Sequence, residues 1–186
     1  MNFDFQKDPE FIRKLKKGDL RIFEKILFLY EKEIFRHIRR LVPRQQDAED
    51  LTQETFIKVY RHIGTLDPTK GMKSWIYKIA TNTAYDWFRK NKRNRELFII
   101  DNAGSPFETI DEHSSYTYQE RATTKDLQDA LERIKPVYKS ILLLFYEEGL
   151  KYGEIAEILS LPLNTVKTHI RRAKSALVKE FQKNNG

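Results

Sequence analysis

The stretch LPLNTVKTHIRRAKSAL, residues 161–177, carries basic side chains on a helical pattern. At 100° per residue its aliphatic positions form one stripe, made of Val166, Ile170, Ala173 and Leu177. The polar front and its flanks carry four cations, Lys167, Arg171, Arg172 and Lys174. Such a face can contact the phosphates and base edges of DNA, or it can be an ordinary solvated surface. This helix alone leaves both interpretations open.

The segment before it, YGEIAEILSLP, predicts a short helix that ends in a turn at residues 160–162. Ala156 and Val166 have the spacing at which two helices of a helix-turn-helix cross closely. In that motif the second helix enters the major groove and the first lies across the phosphates. Ser160 stands where the turn usually has glycine, and Asn164 is the expected N-cap of the second helix. Two core helices of another bundle are the alternative interpretation.

A second stretch with chemical potential is MKSWIYKIATNTAYDWFRKNKRNR, residues 72–95. One face of the predicted helix carries Trp75, Asn82, Asp86 and Arg89, and five of the seven residues 89–95 are basic. Aromatic rings stack on unpaired bases, cations hold phosphate, and an amide can read a base edge. The alternative is that the rings form the core of a small domain. We expect Trp87 in the core and leave both options open for Trp75.

An acidic stripe is predicted on the helix DAEDLTQETFIKVYRHI, residues 47–63. Asp47, Asp50 and Glu54 lie opposite its apolar face. The stripe can be solubilising, or it can bind a partner protein through a basic surface. A metal site is disfavoured because no histidine lies near and the carboxylates point outward.

These segments predict an all-α protein of two small helical domains joined by a flexible linker, the C-terminal domain being a helix-turn-helix. Two further helices, at residues 10–17 and 19–42, separate at Gly18–Asp19, and Pro43 stops the second. The expected domains are residues 1–96 and 125–186, with residues 97–124 as the linker. Their net charges are +8, +3 and −4 respectively, within a total of +7. A basic balance favours a polyanionic partner.

Several function classes are disfavoured. The chain has no cysteine, which removes disulfides and thiolate metal sites and suits a reducing cytoplasm. The longest apolar run, residues 141–146, is too short to span a bilayer, and the first ten residues have no signal-peptide pattern, so we expect no membrane insertion. We expect no catalytic residues, cofactor or metal, because no triad or phosphate-binding glycine loop is evident. His169 is expected to pack against the core.

The motifs together resemble bacterial RNA polymerase sigma factors of the extracytoplasmic function (ECF) type, in the sigma-70 family. DAEDLTQETFIKVYRHI resembles the polymerase-binding helix of that family, and KSWIYKIATNTAYDWFRKNKR resembles its −10 recognition and melting segment. LERIKPVYKSILLLFYEEGLKYGEIAEILSLPLNTVKTHIRRAKSAL resembles its −35-binding domain. The resemblance covers about residues 20–95 and 127–180, and the three motifs occur in the family's order.

The resemblance implies a role for each matching residue. The polymerase's coiled-coil clamp would meet an acidic set, Asp47, Asp50, Gln53 and Glu54. Loop 65–73 and Asn82 would capture a −10 base that is flipped out of the non-template strand. The full set of residues for −10 recognition and melting would be Lys73, Trp75, Asn82, Asp86, Arg89, Lys90 and Lys92. The −35 element would be contacted by Asn164, Thr165, Lys167, Thr168, Arg171 and Arg172, with Lys174 on phosphate.

The implied function is that of a transcription initiation factor, not an enzyme. Its expected partners are core RNA polymerase, promoter DNA and an anti-sigma factor, the last because no long inhibitory N-terminal region is evident, and its expected location is the cytoplasm. Two rival classes differ in testable features. A stand-alone helix-turn-helix regulator would carry a ligand or phosphoacceptor domain in its N-terminal half. An enzyme acting on single-stranded nucleic acid would need convergent carboxylates or a histidine–metal cluster.

Overall fold

The computed structural model describes residues 8–67, 69, 71–91 and 124–185. Over these ranges the regular structure is helical, with no strand, as predicted. Four α-helices of the described residues precede residue 92: α1 (Pro9–Lys16), α2 (Leu20–Leu41), α3 (Gln45–His62) and α4 (Met72–Lys90), and a short 3-10 helix, Ile63–Thr65, follows α3. Four follow residue 123: α5 (Thr124–Arg133), α6 (Pro136–Leu142), α7 (Tyr152–Leu159) and α8 (Leu163–Asn185). The predicted linker lies outside the described residues except for Thr124, the first residue of α5; the domain boundaries stay a prediction.

The break between α1 and α2 lies where the sequence predicts it. Gly18 has φ +78°, a left-handed backbone that glycine adopts without steric cost. The Asp19 carboxylate then accepts hydrogen bonds from the backbone N–H groups of Arg21 and Ile22, at 3.0 and 3.4 Å, and caps α2. At its other end α2 stops at Leu41, two residues before Pro43.

The core of the N-terminal half lies where α2, α3 and α4 meet. Fully buried side chains come from all three helices: Ile34, Ile38, Val59, Ile76 and Ala80. Burial of each large aliphatic side chain contributes about 1.5–3 kcal/mol, which holds the short helices together. The prediction for Trp87 is correct only in part. Its ring packs on the core and meets Phe88 edge to face, but it stays half-buried.

This core contains one buried imidazole, that of His37. Its Nε2 lies 3.1 Å from the hydroxyl of Thr81, and its ring meets the Tyr77 ring edge to face. Burial, with a smaller effect of the Arg40 charge, lowers the pKa of His37 to about 3. The side chain is therefore neutral at physiological pH.

The C-terminal half contains the predicted helix-turn-helix in α7 and α8. Ser160 adopts φ +54° and ψ +44°, so it takes the left-handed conformation for which glycine is the usual residue. The N–H of Leu161 bonds the carbonyl of Ala156 at 2.9 Å and closes the turn. Val166 is completely buried in the crossing, as the spacing predicts.

The end of α6 widens into a π-helical segment, Leu143–Glu147. The N–H of Glu148 bonds the carbonyl of Leu143, five residues back, at 3.1 Å instead of the four-residue step of an α-helix. The wide segment thus places Glu147 and Glu148 just before the loop that leads to α7.

The two halves of the chain pack against each other, which the sequence did not predict. Helix α4 lies against α7, and α2 touches α6. One continuous cluster of buried apolar side chains includes members from both halves. The elements expected to read DNA therefore share an interface in this structure.

Candidate nucleic-acid interface

Helix α8 presents the predicted polar face to solvent. Its back is buried through Val166, Ile170 and Ala173, and His169 packs near the ring of Tyr138 as expected. On the front Lys167, Arg171 and Lys174 are exposed, whereas Thr165, Thr168 and Arg172 are partly buried. This arrangement places a row of cations on the side of α8 that is opposite its buried back, which is the position from which they could contact a groove or phosphates.

The predicted N-cap of α8 is wrong. The helix begins at Leu163, so Asn164 lies inside its first turn. The N–H of Val166 already bonds the carbonyl of Pro162 at 3.1 Å, which starts the helix before Asn164. The exposed Asn164 side chain therefore faces solvent in the first turn of α8, which in a helix-turn-helix is the end that contacts base edges.

Aromatic side chains that the sequence reasoning missed lie beside this face. The ammonium of Lys174 sits 5.3 Å from the ring centre of Tyr146, which is 56% exposed. Phe145 contacts Tyr146 edge to face and stacks on Tyr152 at 5.0 Å. The signal was present in the sequence as FYEEGLKY, but helical periodicity does not show that this segment meets α8. Tyr146 holds the Lys174 ammonium at the edge of the face.

Helix α4 carries the second predicted face. Asn82, Arg89 and Lys90 are exposed, and Arg89 forms an ion pair with Asp86. Asp86 thus orients the Arg89 guanidinium through this ion pair. Lys92 lies outside the described residues. The amide at Asn82 and the cations about two turns further on have the chemistry to bind an unpaired base and its backbone.

Helix α3 places only part of the predicted acidic stripe on an outer surface, because the Asp47 side chain is 21% exposed and its Oδ2 is buried rather than pointing outward. Asp50 and Gln53 are exposed, and Asp47 lies 4.0 Å from the Arg44 guanidinium. Glu54 pairs with Lys58 at 2.7 Å. With Asp50 and Gln53 exposed and Glu54 partly exposed, the stripe keeps a negative surface that a basic partner can meet.

Lys58 connects the acidic stripe with the α4 face. Besides its pair with Glu54, its ammonium donates to the Thr83 hydroxyl at 3.1 Å and lies 4.0 Å from Asp86. Sequence reasoning did not single out Lys58, because its partners on α4 lie more than 20 residues away.

Trp75 and Lys73 lie at the interface between the two halves. Trp75, with Thr65, Asp67 and Lys78, lines a cleft of about 240 Å³ whose opposite wall is formed by Glu157 and Ile158 of α7. Lys73 donates to the backbone carbonyl of Glu148 at 2.8 Å. In this structure both residues therefore face the C-terminal half.

The described residues also bear on metal binding and membrane insertion. Within residues 8–67, 69, 71–91 and 124–185, no group of three or more histidine, cysteine or acidic side chains is arranged to hold a metal ion. Over the same part of the chain, no helix has the length and apolar character that a bilayer span requires.

Two protein-family models and known proteins match the part of the chain that carries these faces. The family model "Sigma-70 region 2" matches residues 29–94, and "Sigma-70, region 4" matches residues 124–177. The RNA polymerase sigma factor SigV of Bacillus subtilis is 36% identical over 144 residues, which cover 77% of this chain and 81% of SigV. The ECF RNA polymerase sigma factor SigW of the same species is 29% identical over 180 residues, which cover 92% and 95%.

The chain belongs to the ECF sigma factors.

The fold agrees with this assignment. The sigma factor RpoE of Bartonella quintana, solved in complex with the anti-sigma factor NepR, superimposes with a TM-score of 0.64 at 24% identity, over 86% of this chain and 96% of that one. In the chain described here, the residues that match region 2 include both the acidic stripe and the α4 face, and the residues that match region 4 include the helix-turn-helix.

Proposed function

We propose that this ECF sigma factor directs core RNA polymerase to promoters by reading a −35 element with α8 and a −10 element with α4. The observation that carries this proposal is the presence of two separate exposed faces, one basic and one with an amide and cations, inside the matched region 4 and region 2. Both faces stand on helices whose opposite sides are buried.

The −35 element is read as duplex DNA. Arg171 and Lys167 point away from the buried back of α8, and a guanidinium can bond a guanine edge through two hydrogen bonds. Lys174, held over the Tyr146 ring, contacts a phosphate and positions the helix. Asn164 and Thr165 in the first turn, with Thr168 and Arg172, complete the contact surface.

The −10 element is bound as unpaired bases. Asn82 offers an amide that can bond the Watson–Crick edge of a flipped base, and Trp75 lies at the loop side of the same helix. Arg89 and Lys90 hold the backbone, with Asp86 orienting Arg89. Lys73 and Lys92 complete this set. Capture of a flipped base stabilises the open strand, which costs a few kcal/mol per base to unstack.

The acidic stripe of α3 binds the polymerase. Asp47, Asp50, Gln53 and Glu54 present negative and polar groups to a basic helical surface on the largest subunit. When one polymerase holds both α4 and α8, the effective concentration of each helix at its DNA element rises. Neither domain then needs high affinity alone.

The remaining properties follow from this role. The protein contributes binding and strand opening without covalent chemistry of its own, and it works in the cytoplasm, where polymerase and chromosome are found. The Bartonella quintana relative is bound to an anti-sigma factor in its solved structure. We therefore expect an anti-sigma partner for this chain as well.

A run-off transcription library tests the proposal. The purified chain is added to bacterial core polymerase with a pool of random templates, and the transcripts are sequenced. We expect starts preceded by two shared sequence elements at a constant separation. Core polymerase that starts no transcript in response to the chain would refute the proposed function.

Substitution of Asn82 tests the base-capture step. We expect Asn82→Ala to reduce promoter opening, measured by permanganate reactivity of unpaired thymines, more than it reduces binding to duplex promoter. Asn91→Ala is the matched control because it removes an exposed amide of the same type, bonded to the Trp87 carbonyl at the end of α4. Equal permanganate patterns for both variants and the wild type would exclude base capture by Asn82.

A further inference from the structure

Four charged side chains of α3 and α4 form a row that alternates in sign. On α3, Glu54 pairs with Lys58 at 2.7 Å. The Lys58 ammonium also lies 4.0 Å from the Asp86 carboxylate of α4, and Asp86 pairs in turn with Arg89. We name these four residues the α3–α4 charge row. The row begins in the acidic stripe and ends at a cation of the −10 set, so it joins the two surfaces that the proposed function uses.

Lys58 has a fixed place in the α3–α4 charge row. Its ammonium donates to the Thr83 hydroxyl at 3.1 Å, and Thr83 is only 1% exposed. Thr83 is β-branched and lies inside a helix, which restricts the rotation of its side chain, so its hydroxyl is a fixed anchor. The Lys58 ammonium is therefore held beside Asp86 by a hydrogen bond that depends on neither carboxylate.

The Asp86 carboxylate has two opposite effects on Arg89. It orients the guanidinium, but a guanidinium paired with a carboxylate has less attraction left for a phosphate, and the carboxylate itself repels DNA. The Arg89 side chain is 67% exposed, so a DNA backbone can reach it. Because the two residues are three apart on one helix, the pair forms locally whatever else is bound. Without a second cation, Asp86 would therefore compete with a phosphate for Arg89.

Lys58 supplies that second cation from the neighbouring helix. Its charge lies beside Asp86 and partly cancels the attraction of this carboxylate for Arg89, so the guanidinium is oriented but can still turn to a phosphate. Lys58 itself is poorly placed to bind DNA. An ammonium has three donor hydrogens, and Lys58 directs its own toward Glu54, Thr83 and Asp86. The effect of Lys58 on DNA is therefore indirect.

From these observations we propose that Lys58 is a positioning residue for promoter DNA: it balances the Asp86 carboxylate, so that Arg89 stays oriented and remains able to bind the −10 backbone. Lys58 acts through Asp86 and Arg89 and makes no DNA contact of its own. This inference rests on the proposed function, since that function assigns the −10 backbone to Arg89. It adds to −10 recognition a residue of α3, the helix that otherwise carries the polymerase-binding stripe.

The test measures how a fluorescent single-stranded oligonucleotide, carrying the −10 sequence from the run-off experiment, binds to core polymerase reconstituted with each variant. Lys58→Met keeps an unbranched side chain but removes the ammonium, so we expect binding about three- to fivefold weaker, the upper range for one exposed ion pair. The slope of log affinity against log salt should fall by about 0.7, the value for one phosphate contact on a single strand. Lys25→Met is the matched control, because it removes the same charge from an exposed position on α2. Equal affinities of these two variants would overturn the inference.

A second substitution, at Asp86, separates positioning from direct DNA contact and from support of the fold. Asp86→Asn removes the carboxylate charge but keeps an oxygen that can accept from Arg89, so in the Lys58→Met chain it should restore both the affinity and the salt slope of the wild type. If Lys58 contacts DNA directly, the salt slope stays low in the double variant; if Lys58 only supports the fold, the affinity stays low. Either result would reject the positioning role. Lys58→Arg keeps the charge and should bind like the wild type.

Thr83→Val tests the geometry with every charge kept. It preserves the size of a buried side chain and removes the hydroxyl that fixes the Lys58 ammonium, so we expect oligonucleotide binding about twofold weaker at a melting temperature close to that of the wild type. An affinity equal to that of the wild type would show that the place of Lys58 has no effect and would contradict the inference. If the library yields transcripts but these variants do not differ, only the positioning role is rejected. Absence of transcription from the library would reject the proposed function itself.

Discussion

Acid should destabilise the N-terminal half through a single buried side chain, His37. The pKa of His37 is lowered to about 3 in the folded chain by burial, with a smaller effect of Arg40, whereas its ordinary value is 6.5. Between these values the unfolded chain binds a proton that the folded chain does not. The stability contributed by neutral His37 is therefore fully present above pH 6.5 and is lost as the pH falls toward 3.

The size of the stability loss follows from the difference between the pKa of His37 in the unfolded chain and its pKa in the folded chain. One pH unit inside this window corresponds to about 1.4 kcal/mol, so lowering the pH from 7 to 5 should reduce the free energy of unfolding by about 2 kcal/mol through His37 alone. The total free energy of unfolding of a small domain is about 5–15 kcal/mol, so a loss of this size is measurable.

Urea unfolding followed by circular dichroism at pH 7, 6 and 5 provides the assay. The matched variant is His37→Gln, whose amide can still bond the Thr81 hydroxyl but does not titrate. Other titrating groups contribute to both proteins, so the difference between the two slopes isolates His37. Parallel slopes for the wild type and His37→Gln would show that His37 does not stay neutral in the fold, and the reasoning from burial would be wrong.

Four further outcomes are expected. Replacing Asp50 and Glu54 together by arginine should abolish co-purification with core polymerase while the melting temperature stays close to that of the wild type; retained binding would reject the docking role. Arg171→Ala should cost about 1–3 kcal/mol at one −35 base pair in a binding assay over all single-base variants, whereas a uniform loss would identify a phosphate contact. Ser160→Gly should raise stability by about 0.5–1 kcal/mol in thermal unfolding, because the left-handed φ of +54° disfavours serine, and Gly149→Ala, at φ +65°, should lower it.

Much of the fold could be predicted because its determinants are local. The break at Gly18–Asp19 and the stop before Pro43 depend on residues within a turn of each helix end. The buried stripes follow from a 3.6-residue period, and Val166 at the helix crossing follows from spacing alone. The N-cap at Asn164 was wrong because the first hydrogen bond of the helix already runs from Val166 to the Pro162 carbonyl, and residue types near a helix start do not fix its exact boundary.

The candidate site could be predicted only where exposure follows from periodicity. Lys167 and Arg171 lie opposite a buried stripe and are exposed as expected. The partners of Lys73 could not be predicted, because Glu148 and its backbone carbonyl are 75 residues away and no periodic pattern encodes a contact between domains. The same holds for Lys58, whose three partners lie on two helices.

The π-helical segment Leu143–Glu147 has a consequence for how such a chain can evolve. A residue added to or removed from a helix turns everything beyond it by about 100°. A π-helical turn, however, fits one extra residue into nearly the same rotation, so deleting one residue from this segment would restore an ordinary helix and leave Glu147 and Glu148 facing almost the same way. A single codon can therefore be gained or lost here without turning the side chains on either side of the segment, so this is a position at which the length of the chain can change while its packing is kept.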